Sequence, residues 1–288
     1  MSNPSKIHAY IELTKPRILM LVLVECMIGY YLGGKGQIAW LSMLYFLVGV
    51  ALTCAGSSTL NHFMEREMDS KMLRTKNRPL PMGVIRPAHA FHFGFILILL
   101  GIILLYVKVN ILTSFLSLLT TFLYILIYTP MKRVSWLNTT IGAVPGAIPI
   151  LGGWAAATGT LSLEAGILFL ILFLWQHPHF YAIAWMCRED YNRGGFKMLP
   201  CVYPDGRSTF LQIMAFTLVL IPVSLLPTIL GMSGKIYFAG MFIAGLVLIR
   251  ASAILMKTHS TQDARHLLKT TVYYLPVLLF LIVIDLNV

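Results

Sequence analysis

The sequence predicts an all-α membrane protein of nine transmembrane helices, and three observations carry that expectation. Of 288 residues, 58% are hydrophobic and only 11% charged, with a mean hydropathy of +0.79. An average soluble domain carries roughly 25% charged residues. Nine stretches are apolar enough to cross a bilayer core, which takes about 20 residues of helix. The cations between those stretches gather on one side. A soluble enzyme is excluded. The cysteines Cys26, Cys54, Cys187 and Cys201 form no close pair, which argues against a zinc ribbon, a CxxC redox site or a disulfide framework.

In chain order the stretches are 16–34, 38–60, 92–109, 111–129, 136–157, 161–184, 209–231, 235–256 and 270–287. The first follows a short polar tail, Met1 to Pro16, and no small-residue cleavage site comes after it. That pattern predicts a retained helix behind a cytoplasmic tail rather than a signal peptide. The second stretch stops at the polar residues from Asn61 onward. The third and fourth adjoin so closely that they also read as one long hairpin. The fifth contains Gly142, Pro145, Gly146 and Pro149, the seventh Pro222 and Pro227, the ninth Pro276. Membrane helices tolerate such residues when neighbouring helices re-satisfy the backbone. One domain over 1–288 is expected.

With the N-terminus inside, 19 of the 22 Lys and Arg residues fall in inside segments, and only Lys35, Lys108 and Lys235 lie outside. That asymmetry predicts an N-in, C-out topology. It also reassigns the net charge of +11 from a nucleic-acid signature to a topology signal, so no nucleic-acid partner is expected.

The acids carry more information. Six of the eleven lie in two inside segments, Glu65, Glu67 and Asp69 after the second stretch, Glu189, Asp190 and Asp205 after the sixth; those segments also carry ten cations. Carboxylates mixed with guanidinium groups on one membrane face point to a divalent cation held together with an anionic ligand. Asn61, Glu65 and Asp69 are spaced i, i+4, i+8, which places all three on one helix face. One amide and two carboxylates are hard oxygen ligands suited to Mg²⁺, which takes one or two carboxylates plus substrate phosphates. Arg74 and Arg78 follow at the same spacing, ready to clamp phosphate oxygens. The plainer reading is a solvated helix end laced with i, i+4 ion pairs; it leaves Asn61, in phase with the acids, unexplained.

The second segment presents His177 and His179 around Pro178 inside an apolar helix, then Arg188, Glu189, Asp190, Arg193 and Lys197. Ionisable groups at membrane depth face a cavity or a partner, although a hydrogen-bonded packing histidine satisfies the same pattern. Glu189 and Asp190 point about 100° apart on a helix, so at most one meets a given metal. Tyr128, Lys132 and Arg133 end the fourth stretch and offer a phenol and two cations on the same side, where interfacial anchoring is the alternative. Glu25 is an intramembrane acid with no evident partner in the sequence.

The run Asn61, Glu65, Asp69, Met72, Arg74, Thr75, Arg78, Pro79, Leu80, Pro81 resembles the prenyl diphosphate site of the UbiA-type intramembrane prenyltransferases. Within them the chain is most similar to the protoheme IX farnesyltransferase branch. Thr14 to Arg17, Tyr128 to Trp154, and the segment from His179 to Tyr191 support that branch. The likeness runs from about residue 10 to the end. It implies nine helices bundled around a central, lipid-open cavity with cytoplasmic capping loops. It further implies farnesyl diphosphate and heme B as substrates, heme B not being a cofactor, and Mg²⁺ as the divalent cation. Asn61, Glu65, Asp69 and Asp190 would ligate the metal; Arg74, Arg78, Tyr128 and Lys132 would act on the diphosphate. Arg133, His177, His179, Arg188, Glu189, Asp190 and Lys197 would line the substrates, with His177 or His179 a candidate ligand to heme iron. The implied setting is the inner membrane, among lipid, with a downstream heme-modifying or terminal-oxidase assembly protein as a partner. Two departures stand out. Position 65 is Glu where many members have Asp, which keeps the carboxylate. The second segment lacks the spaced aspartates of members that prenylate quinone precursors. An aromatic acceptor such as a hydroxybenzoate stays the alternative within enzymes, and a transporter or scaffold binding anionic lipid the alternative outside them.

Overall fold

The computed structural model describes residues 5–287, and among these the chain is helical apart from turns and an isolated β-bridge between Ser233 and Leu286. Helices α1 (Lys6–Leu13), α2 (Pro16–Gly33), α3 (Trp40–Asp69), α4 (Pro87–Lys108) and α5 (Ile111–Phe122) come first. A π-helical turn, Leu123–Tyr128, then leads into α6 (Thr129–Met131). After it come α7 (Asn138–Thr158), α8 (Leu163–Met186), the short α9 (Arg188–Gly194) and α10 (Leu199–Val202), then α11 (Arg207–Ile229), α12 (Lys235–Thr258) and α13 (Thr261–Ile284). With Ile111–Met131 counted as one continuous helix, nine helices among the described residues are long and apolar enough to span a bilayer.

The structure departs most from the hydropathy reading in three places, each for a physical reason. The second stretch does not stop at Leu60: α3 continues to Asp69, because Asn61, Glu65 and Asp69 turn inward and are buried under loops. The last span begins at Thr261 rather than at 270. Ser260 caps it by accepting from the Asp263 amide at 3.0 Å, with Asp263 itself in the first turn, where an acid meets the positive end of the helix dipole. The N-terminal tail carries a short helix of its own. From Lys6 it forms α1, whose Ala9 and Leu13 pack with Leu80, Ile85 and Ala90 beneath the loop after α3; Met1 to Pro4 lie outside the described residues.

Small residues set the closest helix contacts. Gly29 of α2 and Gly153 of α7 lie so near the opposing backbone that a Cβ on either would collide with it. Gly56 of α3 and Gly94 of α4 repeat the arrangement. Without a hydrophobic drive between helices in lipid, backbone approach of this kind supplies the packing. The largest buried cluster joins α8, α11, α12 and α13. It braces α8 from behind, while α2, α3, α5, α7 and the inner face of α8 wall a cavity of about 490 Å³.

Candidate functional site

The polar head of the candidate site is built on the last two turns of α3, just past Lys15, Tyr124 and Tyr128, which line the cavity; Asn61, Glu65 and Asp69 do not line it themselves. Asn61, Glu65 and Asp69 are 1%, 5% and 0% exposed, so the expected common face exists and is buried. Each side chain already holds a cation. Asn61 Oδ1 accepts from Lys15 Nζ at 2.7 Å, Glu65 Oε1 from Lys132 Nζ at 2.7 Å, and Asp69 Oδ2 from Arg78 at 2.7 Å. The second oxygen of Asp69, Oδ1, is buried with no hydrogen-bond partner among the described residues. Burying an unmatched carboxylate oxygen costs free energy unless a cation or donor meets it. Three hard oxygen side chains on one face, one with an open buried oxygen, fit a divalent cation. No cluster of three His, Cys, Asp or Glu residues able to hold a metal occurs among the described residues; the candidate set here is an amide with two carboxylates.

Two local distortions assemble this head. Lys15 sits in the left-handed backbone region, at φ 50°, immediately before Pro16. Such strain persists only where its surroundings impose it, and here it turns the ammonium onto Asn61. Burial pulls the Lys15 ammonium down to about 8, against the opposing pull of the Glu65 carboxylate. For Lys132 burial is again the largest single influence and acts in the same sense, but Glu65 together with Tyr128 and Tyr124 outweighs it and holds the proton more tightly than in water. The π-turn over Leu123–Tyr128 is the second distortion; insertions of this type recur at functional sites. Thr129 donates to the Tyr124 carbonyl at 2.8 Å and accepts from Asn61 Nδ2 at 3.0 Å. Tyr124 stacks on Tyr128, and its hydroxyl lies 3.4 Å from Lys15 Nζ. Tyr128 lies under Lys132, whose ammonium is 4.5 Å from the ring centroid.

The second segment is used differently. Asp190 accepts from the backbone amides of Leu73 at 2.8 Å and Arg74 at 3.1 Å, and from Arg193 at 3.0 Å. Its carboxylate therefore clasps the loop that follows α3. The expectation that it joins the metal ligands meets a carboxylate already committed to that clasp. Burial alone would raise its pKa, but the two amides and Arg193 hold it below the ordinary carboxylate range. Lys197 contributes its backbone, its amide to the Lys132 carbonyl and its carbonyl to Asn138, while its side chain is exposed. Arg74 lies over the Tyr191 ring, and Arg188 folds back on Trp185. Arg133 and Glu189 are exposed on the loops.

The two histidines part company. His177 is fully buried, stacks on Phe216 and has both ring nitrogens engaged, Nδ1 with the Phe173 carbonyl and Nε2 with Thr140. His179 lines the cavity, stacked on Trp175, with Nδ1 against Thr271. Glu25 also lines the cavity and forms no ion pair among the described residues. Lys15, Tyr124, Thr129 and His62 were not singled out as site residues by spacing. His62, beside Asn61, is buried with neither ring nitrogen partnered; a histidine inside a polar run at a helix end was the available signal.

Residues 22–278 match the model of the UbiA prenyltransferase family. The chain is 45% identical to the protoheme IX farnesyltransferase of Solibacter usitatus, over 96% of this chain and 98% of that one. It is 42% identical to the protein of the same name from Salinibacter ruber, again over 96% and 98%. Among solved structures, a digeranylgeranylglyceryl phosphate synthase aligns with a TM-score of 0.83 at 23% identity, covering 98% of this chain and 99% of that one. A UbiA homolog from Archaeoglobus fulgidus, bound to GPP and Mg²⁺, aligns at 0.62 and 14% identity, covering 96% and 99%. These two likenesses speak to fold alone.

Proposed function

The chain belongs to the UbiA prenyltransferase family, and from that premise we propose that it transfers the farnesyl group of farnesyl diphosphate to a vinyl group of heme B, giving heme O and diphosphate. One observation carries the reading: a buried face of three oxygen side chains, ringed by Lys15, Arg78 and Lys132, adjoins a largely apolar cavity through Lys15, which both bonds Asn61 and lines the cavity. An anionic head and a hydrocarbon tail are the two halves of a prenyl diphosphate.

Asn61, Glu65 and Asp69 would hold Mg²⁺, which supplies Lewis-acid neutralisation of diphosphate oxygens. The three cations of the head stabilise the charge that develops as the C1–O bond breaks and its electron pair passes to the diphosphate. Arg74 and Arg78, on the capping loop, close over that anion, and Asp190 keeps the loop in place. The stacked Tyr124 and Tyr128 present ring faces to the cationic allyl fragment, an arrangement that favours positive charge. The vinyl terminal carbon then bonds to C1. Water adds to the inner vinyl carbon and loses a proton, leaving the hydroxyethylfarnesyl group.

Heme has a side entrance. Ile18 and Leu21 of α2 and Phe180 of α8 line the cavity and are also exposed, so a flat acceptor enters from the lipid between these helices. His179 lines the cavity while both ring nitrogens of His177 are engaged elsewhere, which supports His179 as the candidate ligand to heme iron. The second segment favours heme over a quinone precursor, because its buried carboxylate is committed to the loop clasp rather than free for a second metal. The cation asymmetry supports capping loops on the cytoplasmic face of the inner membrane, from which heme O would pass to a heme-modifying or oxidase-assembly protein. The test is purified protein with farnesyl diphosphate, Mg²⁺ and either heme B or a hydroxybenzoate, with products weighed by mass spectrometry. Heme O is expected; prenylated hydroxybenzoate alone would overturn the assignment.

A further inference from the structure

We propose that the floor of the cavity measures the prenyl chain at three isoprene units, with Phe46 as the steric stop and Glu25 as a polar stop beside it. The inference rests on the proposed function, since it reads the cavity as the seat of the prenyl tail. On α2 the lining residues run from Lys15 to Cys26, and on α7 from Gly142 to Gly152. Each stretch is about three helical turns, or ~15 Å of rise. On α3 the lining continues from Ser57 and Ser58 through Thr53 and Val50 to Phe46, and no lining residue lies beyond it. The α3 and α7 stripes end together, at Phe46 and Gly152, and the α2 stripe ends at Cys26, which packs in one cluster with Phe46. An extended isoprene unit covers about one helical turn, ~5 Å, so three units fill the space between the anionic head and Phe46.

The floor is rigid. Phe46 is 0% exposed and stacks on Tyr30 at 6.2 Å between centroids, and Cys26, Met43 and Leu105 pack around the pair. Gly152 faces the ring from α7: a Cβ there would rest 3.8 Å from Phe46, in ordinary contact, with nothing else within 4 Å. Glu25 lines the cavity on α2, one residue before Cys26, which packs in one cluster with Phe46. A fourth isoprene unit would have to displace the Phe46 ring and also lie against a carboxyl with no hydrogen-bond or ion-pair partner among the described residues. Stripping water from such a group is costly. A shorter chain leaves apolar space unfilled at the floor, which forfeits contact energy.

The experiment compares kcat/KM for geranyl, farnesyl and geranylgeranyl diphosphates, with heme B as acceptor, in wild type and three variants. One methylene in an apolar pocket discriminates by about 10–200-fold, so wild type is expected to prefer farnesyl over geranylgeranyl by about 100-fold or more. Phe46→Ala and Glu25→Leu each raise the geranylgeranyl-to-farnesyl ratio about 10-fold or more. Gly152→Ala moves the farnesyl-to-geranyl ratio the other way, toward the shorter chain. The two stops are independent, so Glu25→Leu and Gly152→Ala decide the matter if Phe46→Ala fails to fold. A wild type that accepts geranylgeranyl as well as farnesyl diphosphate, or folded variants with unchanged ratios, would overturn the ruler and mean that the tail leaves sideways into lipid. A wild type inactive with all three diphosphates would instead contradict the proposed function.

Discussion

The two charged segments look alike in composition and behave oppositely in the fold. In residues 61–78, Asn61, Glu65 and Asp69 turn into a buried polar head beside the cavity, where each meets a cation and Asp69 Oδ1 stays open. Apart from His179 and the exposed loop side chains, residues 177–197 spend their polar atoms on the protein itself: His177 on helix and threonine oxygens, Asp190 on two loop amides, Lys197 its backbone beside Lys132. Acid and base content alone therefore does not locate chemistry. What separates the two segments is whether a buried polar atom has been satisfied by the fold or left for a ligand.

The largest effect expected from breaking this contrast is at Asp69. Asp69→Asn keeps shape and removes the charge, and kcat should fall about 10²–10³-fold, the scale of losing one preorganised electrostatic contact, with thermal unfolding in detergent little changed. Lys132→Met is next and affects stability as well. It leaves the Glu65 carboxylate buried without its ammonium, at a cost of ~3–5 kcal/mol. Adding Glu65→Gln should restore the unfolding temperature and leave turnover low, which separates the ion pair's structural role from its catalytic one.

Asp190→Asn should act through the loop. The KM for farnesyl diphosphate should rise about tenfold, in line with losing a charge-assisted hydrogen bond, with a smaller change in kcat. Amide exchange over 70–81 should quicken. The pH dependence has a definite sign. The folded-state pKa of Asp190 is depressed, so the clasp is fully held above the unfolded carboxyl value of about 3.9 and is lost only as pH falls through the lower folded value. Corrected for intrinsic rates, exchange in this loop should stay flat from about pH 8 to about pH 4 in wild type; in Asp190→Asn it should be fast throughout. The smallest effect on activity is expected at His177: His177→Leu should cost ~1–3 kcal/mol of stability through lost buried hydrogen bonds and leave turnover near wild type. Loss of activity there without loss of stability would remove the contrast between the segments.

The legible parts of the sequence were those written in local periodicity. Nine apolar stretches gave nine spans, and the i, i+4, i+8 spacing of Asn61, Glu65 and Asp69 gave their shared face, because 3.6 residues per turn fix it without reference to the rest of the chain. Hydropathy ended α3 too early, since it registers what lipid would reject and not what a capping loop will bury. Lys15 reaches Asn61 only through a left-handed backbone and the packing of α2 against α3. Tyr124 faces it only because a π-turn shifts the helical phase. The task of Asp190 depends on two amides 117 and 116 residues away, a pairing that no spacing rule encodes.

The claim that the first segment binds the metal diphosphate while the second clasps the loop is open to direct measurement. Mn²⁺ in place of Mg²⁺, titrated with a non-hydrolysable farnesyl diphosphate analogue, reports binding through its paramagnetic resonance spectrum. The account predicts that Asp69→Asn abolishes the bound signal, and that Asp190→Asn retains it with weaker analogue affinity. A signal that survives Asp69→Asn and vanishes in Asp190→Asn would contradict it.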